Sequence, residues 1–283
     1  MSTPFFEASF EAHTCEIQNL DAGVFLDGLG PESADIIFLD PPFNIGKRYA
    51  LPGFKDRDDP DVYFGWLTSI LKKAVKCLRP GGALYLYHLP AVAYRAAAVL
   101  DHHLVFRHWI AVAMKNNFVR GKRLYPAHYA LLYFTKGEPQ QFSRPKLTPK
   151  MCRHCGQHIK DYGGYRKIVE EKGLNLSDVW DDLSPVRHAS TKTRAANELP
   201  TVFFSRIMQI SGYPGGVYVD SFMGSGGGVL AALDAHMTAV ACDASAESCD
   251  LAAKRVQARW GELNGRDGER RATEAPIPRA ANS

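Results

Sequence analysis

A carboxylate and two rigid backbone units stand together in Asp40-Pro41-Pro42-Phe43, directly after the apolar run 36–39. Proline fixes φ and lacks the amide hydrogen that a β-ladder needs, so the preceding strand must end here. Asp40 precedes a proline and is therefore held extended. A stiff, acidic loop at the carboxyl end of a buried strand is where open α/β sheets bind ligands. The alternative is a strand end with a capping aspartate, and this stretch alone does not decide between the two.

A second group of residues suited to ligand binding lies in the stretch 217–245, which reads strand, glycine turn, helix, strand and acid. Glycines between 224 and 228 let the backbone approach a ligand closely. Asp243, at the end of the next strand, suits the two hydroxyl groups of a ribose. The combination predicts a nucleoside cofactor, and a glycine turn that serves only packing is the alternative.

The acid Asp220, four residues before Gly224, restricts the choice of cofactor. Dinucleotide-binding folds carry G-x-G-x-x-G at this turn, and an acid there would repel a pyrophosphate. A cationic amino-acid group would be attracted instead. S-adenosyl-L-methionine combines an ammonium group, a ribose and an adenine, so it fits this pattern.

The elements that must position these two loops alternate between strand and helix. One helix starts near Pro60 and ends at the Arg-Pro-Gly-Gly stretch 79–82. Strand-helix alternation predicts βαβ units and an α/β fold with a doubly wound, mainly parallel sheet. The other predicted strands are 36–39, 83–89, 105–114, 128–137, 216–222 and 238–244, and the other predicted helices are 91–103, 198–212, 227–236 and 246–260.

Composition places the chain among ordinary globular proteins, with 283 residues, 46% hydrophobic and 23% charged. No apolar run approaches the ~18 residues of a membrane span. The N-terminal stretch lacks the pattern of a secretory signal, and six scattered cysteines are typical of a reducing cytosol. We therefore expect a cytoplasmic protein without a membrane partner.

The net charge of +4 is unevenly distributed. Residues 120–172 hold 12 of the 34 Lys and Arg and 4 of the 30 Asp and Glu, a local net charge of +8. The remainder has 22 basic and 26 acidic residues, a net charge of −4. A basic middle in an otherwise acidic chain predicts a segment that binds a polyanion. A solvated basic surface is the alternative.

With Asp-Pro-Pro-Phe at 40–43 and Asp-Ser-Phe-Met-Gly-Ser-Gly at 220–226, the chain resembles the amino-methylating DNA methyltransferases. These enzymes methylate adenine N6 or cytosine N4. The order of catalytic motif, recognition region and glycine loop resembles the circularly permuted β group, over residues 15–260. The resemblance implies a Rossmann-like methyltransferase domain formed by 1–137 and 188–260, with a target-recognition insert at 138–187. The polar composition of residues 261–283 predicts a mobile tail.

The resemblance also implies which residues contact S-adenosyl-L-methionine. Asp21 and Ala22 would lie at the adenine ring, and the stretch 197–199 near the methionine end. The chain departs from the family pattern at Ser221, where proline is frequent, and at Gly227 and Gly228, where threonines are usual, so we expect a looser loop. The full set of implied cofactor contacts is Asp21, Ala22, Asp40, Asn197, Glu198, Leu199, Asp220, Phe222, Gly224, Ser225, Gly226 and Asp243.

The catalytic set implied by the resemblance is Asp40, Pro41, Pro42 and Phe43. An exocyclic amine is a poor nucleophile because its lone pair is delocalised into the ring. The carboxylate of Asp40 and the carbonyl of Pro41 would accept its N–H groups and free the lone pair. The base must leave the duplex to be reached, and Phe43 would stack on it, for about 1–3 kcal/mol. Phe43 as a core residue is the alternative, and Phe118 is either a second wall or an ordinary loop aromatic.

The basic middle contains Cys152-x-x-Cys155, with His154 and His158 nearby. A structural zinc site needs four ligands, and this stretch offers half a site with histidines to complete it. A reduced dithiol on a DNA-facing loop is the alternative, so we assign no metal.

The same segment supplies Lys160, Arg166 and Lys167 as the predicted contacts to DNA phosphates. Which side chains would read the base sequence cannot be derived from the residue types. The partner implied is therefore double-stranded DNA. A homodimer and a cognate restriction endonuclease are further partners that the resemblance leaves open, as is the recognition sequence.

The family tends to carry Asp at the first motif position for adenine and Ser for cytosine, so Asp40 favours adenine N6. Cytosine N4 and an RNA amino group are the enzymatic alternatives. The alternative outside enzymes is a DNA-binding protein with a vestigial cofactor fold, which the intact motif 40–43 argues against.

Overall fold

The computed structural model describes residues 4–9, 13–46, 56–113, 122, 124, 127–149, 151–152, 154–158, 163–183 and 198–270. The strands are β1 Phe6–Ser9, β2 Thr14–Asn19, β3 Ala34–Leu39, β4 Leu78–His88, β5 Val105–Ala113, β6 His128–Thr135, β7 Lys146–Leu147, β8 Leu174–Asn175, β9 Val179–Trp180, β10 Val217–Asp220 and β11 Thr238–Asp243. The helices are α1 Ala22–Gly28, α2 Pro60–Cys77, α3 Pro90–Asp101, α4 Arg166–Lys172, α5 Thr201–Ser211, α6 Gly227–Asp234 and α7 Ala246–Arg270.

One mixed sheet of nine strands organises the molecule, in the order β1-β2-β11-β10-β3-β4-β6-β5-β9. Parallel pairs join β2, β11, β10, β3 and β4, whereas β1 and β6 pair antiparallel with their neighbours. The doubly wound, mainly parallel sheet expected from the alternation of elements is therefore confirmed.

Both faces of the sheet are covered by helices, as a non-alternating apolar strand requires. Every residue of β3 is buried. Ile36 and Phe38 pack on the face covered by α5, α6 and α7. Ile37 and Leu39 pack on the opposite face with α1, α2 and α3. The strand that leads into Asp40 is thus fixed from both sides.

The strands β3 and β10 lie side by side and parallel. The strands that follow them along the chain are added on opposite sides of this pair, β4 beside β3 and β11 beside β10. From β3 the chain passes through α2 on one face to β4, and from β10 it passes through α6 on the other face to β11. Ligands in open α/β sheets bind in the crevice at such a switch point, outside the carboxyl ends of the strands. The loop after β3 starts at Asp40, and the loop after β10 is the glycine loop.

The helix α2 begins as the sequence predicts and ends before its Arg-Pro-Gly-Gly signal. Asp59 caps it by accepting the amide hydrogens of Asp61, at 2.9 Å, and Val62, at 3.3 Å, with Pro60 in the first turn. The 79–82 stretch belongs to β4, where Gly81 takes a φ of +80°. Glycine adopts that backbone conformation without the steric penalty that a side chain would bring.

The last helix extends further than we expected. α7 continues to Arg270, so residues 261–270 are helical where the polar composition predicted a mobile tail. Gly261, Gly265 and Gly268 oppose a helix, so intrinsic helix propensity does not account for this continuation. Residues 271–283 lie outside the described part of the chain.

The segment 138–187 is less irregular than we expected, because it contains β7, α4, β8 and β9. Its end also joins the main core. β9 pairs parallel with β5, Trp180 is 1% exposed, and Arg206 of α5 forms a two-bond ion pair with Asp182. Residues 179–183 therefore pack against the core of the nine-stranded sheet.

Candidate active site and cofactor pocket

A narrow pocket opens at the switch point and is lined from both neighbouring loops. Asp40 reaches it from β3, and Asp220 reaches it from β10. Six residues singled out from the sequence therefore share one cavity, since its lining includes Asp40, Glu198, Leu199, Asp220, Phe222 and Ser225. The remaining lining residues are Phe38, Phe204, Met223 and Gly227.

The loop after β3 is held by hydrogen bonds to a carboxylate. Asp56 is 5% exposed and accepts the amide hydrogens of Asn44, at 2.7 Å, and Ile45, at 3.2 Å. The Asn44 side chain in turn bonds the backbone of Asp58 in both directions, at 2.6 and 3.0 Å. Asn44 has a φ of +58°, a conformation that asparagine tolerates better than most residues. The loop that begins with Asp40-Pro41-Pro42 is therefore fixed by its own prolines and by the residues just before α2.

Aromatic rings surround the end of the motif. Phe43 is 6% exposed, and its ring centroid lies 4.8 Å from that of His88, 5.6 Å from Tyr129 and 6.0 Å from Tyr87. Burial, and then the Asp40 carboxylate, raise the pKa of the phenols of Tyr87 and Tyr129. Both phenols therefore lie within the electrostatic field of Asp40. Phe118, the other aromatic considered from the sequence, lies outside the described residues.

The glycine loop needs its glycines for two different reasons. Gly224 and Gly226 have φ of +53° and +78°, which side-chain-bearing residues rarely adopt. Gly228 instead makes room, because a Cβ there would lie 2.1 Å from the hydroxyl oxygen of Tyr218. That hydroxyl donates to Asp220 at 2.9 Å. Gly228 stands where the family usually has threonine, and the Tyr218 hydroxyl fills the space that a threonine side chain would enter.

Asp220 is fully buried and keeps its two oxygens bonded, one to the amide of Phe222 at 3.0 Å and one to Tyr218. The pKa of Asp220 is raised to about 7, chiefly by burial and also by the carboxylates of Asp40 and Asp243, against the two hydrogen bonds that lower it. Negative charge is therefore crowded at the switch point. A cationic group placed there would relieve that repulsion.

Asp243, at the end of β11, connects its strand to the glycine loop. It accepts the amide hydrogens of Gly224, at 3.0 Å, and Ser245, at 2.9 Å. The neighbouring strand β2 ends beside it, where the Asn19 side chain donates to the Asp243 carbonyl at 2.9 Å.

Asp21 and Ala22 begin α1 just after β2. The Asp21 carboxylate caps the helix by accepting the amides of Gly23, at 2.8 Å, and Val24, at 3.3 Å. Ala22 is buried, with 4% of its surface exposed. Both residues therefore lie at the same edge of the sheet as Asp243, although neither lines the pocket at the switch point. Asn197, the third residue proposed from the family's flanking segments, lies outside the described part of the chain.

An arginine that the sequence analysis did not identify holds the pocket together. Arg255 of α7 donates to the Glu198 carboxylate at 3.0 Å and to the Ser225 carbonyl at 2.7 Å. The Ser225 hydroxyl also donates to Glu198, at 2.8 Å. Because Arg255 comes 57 residues after Glu198, no local pattern could connect them. Helical spacing alone shows only that position 255 faces inward between Ala252 and Val256.

Two of the three predicted DNA contacts lie in the described part of the basic segment. Arg166 and Lys167 lie in the exposed helix α4, where Arg166 pairs with Glu170 at 2.9 Å. Lys160 lies outside the described residues. Within the described ranges, no three His, Cys, Asp or Glu side chains are grouped to hold a metal ion. His158 bonds Glu170 at 2.9 Å.

The sheet order, the acidic loop after β3 and the glycine loop after β10 define a Rossmann-like methyltransferase of permuted order. The family model described as DNA methylase matches residues 34–254, so the chain belongs to the N6/N4 DNA methylase family. Within the described residues, no helix is long and apolar enough to cross a membrane.

Relatives in other organisms agree with this membership. The chain is 42% identical over 196 residues to the Type II methyltransferase M.BamHI of Bacillus amyloliquefaciens, covering 69% of this chain and 46% of M.BamHI. It is 25% identical to the Type II methyltransferase M.HpaI of Haemophilus parainfluenzae, covering 86% and 73% of the two chains. It is 22% identical to the DNA adenine methyltransferase YhdJ of Escherichia coli, covering 72% and 70%. The match thus spans about half the length of M.BamHI.

Solved structures share the fold. The M1.HpyAVI–SAM complex superposes with a TM-score of 0.58 at 18% identity, covering 86% of this chain and 98% of that one. The cytosine-N4-specific PvuII DNA methyltransferase superposes with a TM-score of 0.59 at 14% identity, covering 83% and 86%. The methyltransferase family uses S-adenosyl-L-methionine, and the acidic pocket at the switch point suits its positive charge.

Proposed function

We propose that this protein transfers a methyl group from S-adenosyl-L-methionine to the exocyclic amino group of a flipped-out base in double-stranded DNA, with adenine N6 as the target. The observation that carries the proposal is the shared pocket. Asp40, which can accept a hydrogen bond from an amine, lines the same cavity as the cofactor residues Asp220 and Ser225. Chemistry and cofactor binding therefore meet at one place, with the reacting groups held close together.

The residues of the pocket fit S-adenosyl-L-methionine by their charge and hydrogen-bonding groups. When bound, this cofactor supplies a methyl group on a positively charged sulfur. Asp220 and Glu198 would lie near its cationic groups, Asp243 would accept from its ribose, and Phe222 would cover it. The glycine loop would let the backbone approach it closely. Asp21 and Ala22, at the start of α1, would lie beyond Asp243 toward the adenine ring.

The chain's own part in the reaction is to prepare the amine and hold the base. Asp40 and the Pro41 carbonyl would accept the two N–H groups, which turns the nitrogen toward tetrahedral geometry and frees its lone pair. The Asp40 carboxylate would also stabilise the positive charge that develops on the nitrogen. Phe43 is 6% exposed and packs in the hydrophobic core, as the alternative of a core residue requires. Tyr129 beside it is only partly buried, and it supplies the aromatic ring near Asp40 on which a flipped base would stack.

The proposal that adenine N6 is the target rests on Asp40 at the first motif position and on the likeness to a DNA adenine methyltransferase of Escherichia coli. Cytosine N4 is the second candidate, because the same two acceptors serve its amino group equally and a cytosine-N4-specific enzyme has this fold. The protein would act on DNA in the cytoplasm. A homodimer and a cognate restriction endonuclease remain proposals of the same kind.

The test is transfer of a labelled methyl group to duplex DNA by the purified full-length protein, followed by nucleoside analysis. We expect N6-methyladenine. N4-methylcytosine as the product would replace the proposed target and leave the reaction class intact. Methylation of RNA alone, or cofactor binding without transfer to any nucleic acid, would overturn the proposal. Methylation-aware sequencing of DNA from cells that express the protein then identifies the recognition sequence.

A further inference from the structure

A buried chain of hydrogen bonds ends on the backbone of the catalytic motif. His88, the last residue of β4, has none of its surface exposed, and Tyr63, in the first turn of α2, is 7% exposed. The Tyr63 hydroxyl oxygen lies 2.6 Å from the Pro42 carbonyl and 2.6 Å from Nε2 of His88. Nδ1 of the same imidazole accepts the amide hydrogen of Leu89 at 2.7 Å.

The chemistry of the two ends determines the direction of every bond in this chain. The Leu89 amide can only donate, so Nδ1 of His88 carries no hydrogen. A neutral imidazole then has its hydrogen on Nε2 and donates it to Tyr63. The Pro42 carbonyl can only accept, so the Tyr63 hydroxyl donates to it. Each donor in the chain has one acceptor, and the histidine is in its Nε2–H tautomer.

Pro42 stands next to Pro41, whose carbonyl is the proposed second acceptor for the amine. The rings of both prolines fix φ, so the angle left free at Pro42 is ψ, and the bond from Tyr63 restrains it. The ring of His88 also packs against Phe43, with 4.8 Å between centroids and 37° between planes. One histidine therefore holds the motif twice, through Tyr63 at the backbone and directly at the aromatic ring.

We propose that Tyr63 and His88 are positioning residues for methyl transfer, which set the orientation of the loop 40–43 through the Pro42 carbonyl. This inference rests on the proposed function. Neither residue belongs to the motifs that the sequence analysis identified. They lie 21 and 46 positions beyond Pro42 and meet it only because β4 lies beside β3 and α2 begins over the loop.

The first test is Tyr63→Phe, which removes the hydroxyl and keeps the ring, with Tyr94→Phe as the matched control at a tyrosine that is 63% exposed. We expect kcat to fall about tenfold to thirtyfold, the scale of one missing hydrogen bond and a misdirected acceptor. The KM for S-adenosyl-L-methionine should stay within about twofold, because the cofactor residues are untouched. The control should behave as wild type.

Rescue at His88 separates positioning from packing. His88→Gln places an amide nitrogen where Nε2 stood and can still donate to Tyr63, whereas His88→Leu cannot. We expect the glutamine variant to retain most of kcat and the leucine variant to lose it to the extent that Tyr63→Phe does. Equal losses in both variants, with their thermal unfolding unchanged, would show that the hydrogen bond is not what matters.

Nitrogen-15 spectra of histidine-labelled wild-type protein test the chain itself, with His88→Gln identifying the signal by its absence. An unprotonated Nδ1 and a protonated Nε2 are expected, because Nδ1 accepts from the Leu89 amide and Nε2 donates to Tyr63. The opposite tautomer, or a doubly protonated ring, would overturn the inference whether or not the enzyme is active.

If wild type methylates DNA and Tyr63→Phe keeps the wild-type kcat, the inference fails while the proposed function stands. If wild type transfers no methyl group, the proposed function fails, and the inference of a role in methyl transfer fails with it.

Discussion

The two loops that meet at the switch point reach a fixed geometry by opposite means. The loop 40–46 is stiffened by its own prolines and held by hydrogen bonds to Asp56 and Tyr63. The loop 221–228 contains glycines, which impose no conformation, and is held by hydrogen bonds to the charged side chains Asp243 and Arg255. The partners Tyr63 and Asp243 are at similar separations along the chain, 21 and 19 residues from the groups they bond. The comparison teaches that the catalytic loop is stiffened by its own residues, whereas the glycine loop depends on charged partners, one of which reaches it from α7.

The largest expected effect falls on the catalytic loop. Asp40→Asn preserves the shape of the side chain and removes the charge that would draw hydrogen from the amine. We expect methyl transfer to fall by about 10³-fold, within the range seen when one positioned catalytic group is removed. Calorimetry should show that cofactor binding survives. Asp101→Asn, at an exposed carboxylate at the end of α3, is the control. Near-normal turnover by the Asp40 variant would refute the proposed chemistry.

The next largest effect tests the charged support of the glycine loop. Asp243→Ala removes the acceptor for the Gly224 amide and the proposed ribose acid. We expect the binding of S-adenosyl-L-methionine to weaken by about 1.5–3 kcal/mol, the scale of charge-assisted hydrogen bonds. Asp243→Asn can still accept from Gly224 and should lose less. If titration calorimetry shows an unchanged affinity for the alanine variant, Asp243 is not the ribose acid and Asp220 becomes the candidate.

The affinity for duplex DNA should depend on the charges of the basic segment 120–172 and not on those of the two loops. The triple change Lys160→Ala, Arg166→Ala, Lys167→Ala should weaken duplex binding and flatten its salt dependence by a slope of about 0.9 for each phosphate that is no longer neutralised. Because Arg166 is paired with Glu170, we expect it to contribute the least of the three. Binding curves at several salt concentrations measure the slope, with cofactor affinity as the internal control. Wild-type affinity and slope would mean that DNA binds elsewhere.

Arg255 sharpens the comparison because it acts from the last helix. Arg255→Met keeps the aliphatic stem but removes the cation that pairs with Glu198, so we expect the dissociation constant of the cofactor to rise about fivefold to tenfold. Arg259→Met, which removes a pair with Asp234 one turn further on, is the matched control. A double-mutant cycle with Glu198→Gln then measures the coupling between the two residues. Fully additive effects would contradict the charge network.

The smallest effect concerns stability and pH. Burial raises the folded-state pKa of Asp220 from 3.8 to about 7, so the native state binds more protons than the unfolded state between these values. Stability contributed by this group is therefore fully present below about pH 4 and is lost as pH rises toward 7. Asp220→Asn should unfold at a higher temperature than wild type at about pH 8. The difference between the two unfolding temperatures should be smaller at about pH 5. A gap that does not change with pH would show that Asp220 titrates normally.

Most of the fold was predictable because its signals are local. The non-alternating apolar strands, the helix starts and the strand-ending prolines are set by neighbours in sequence, and all six predicted strands belong to the observed sheet of nine. The strands β1 and β2, the helix α1, the helical continuation of α7 and the short elements of 138–183 were missed. The two-residue strands are too short to show a period, and the order of the strands depends on pairings that spacing along the chain does not contain.

The sequence by itself determined the chemistry available: a carboxylate before Pro-Pro, a glycine loop with an acid at the next strand end, and their order along the chain. Only the tertiary structure decided which side chains support them. Tyr63, His88 and Arg255 carry no recognisable motif, and each acts through hydrogen bonds or an ion pair across strands or helices. Such contacts depend on the directions of side chains after the sheet has assembled, and the spacing of residues along a chain does not contain that information.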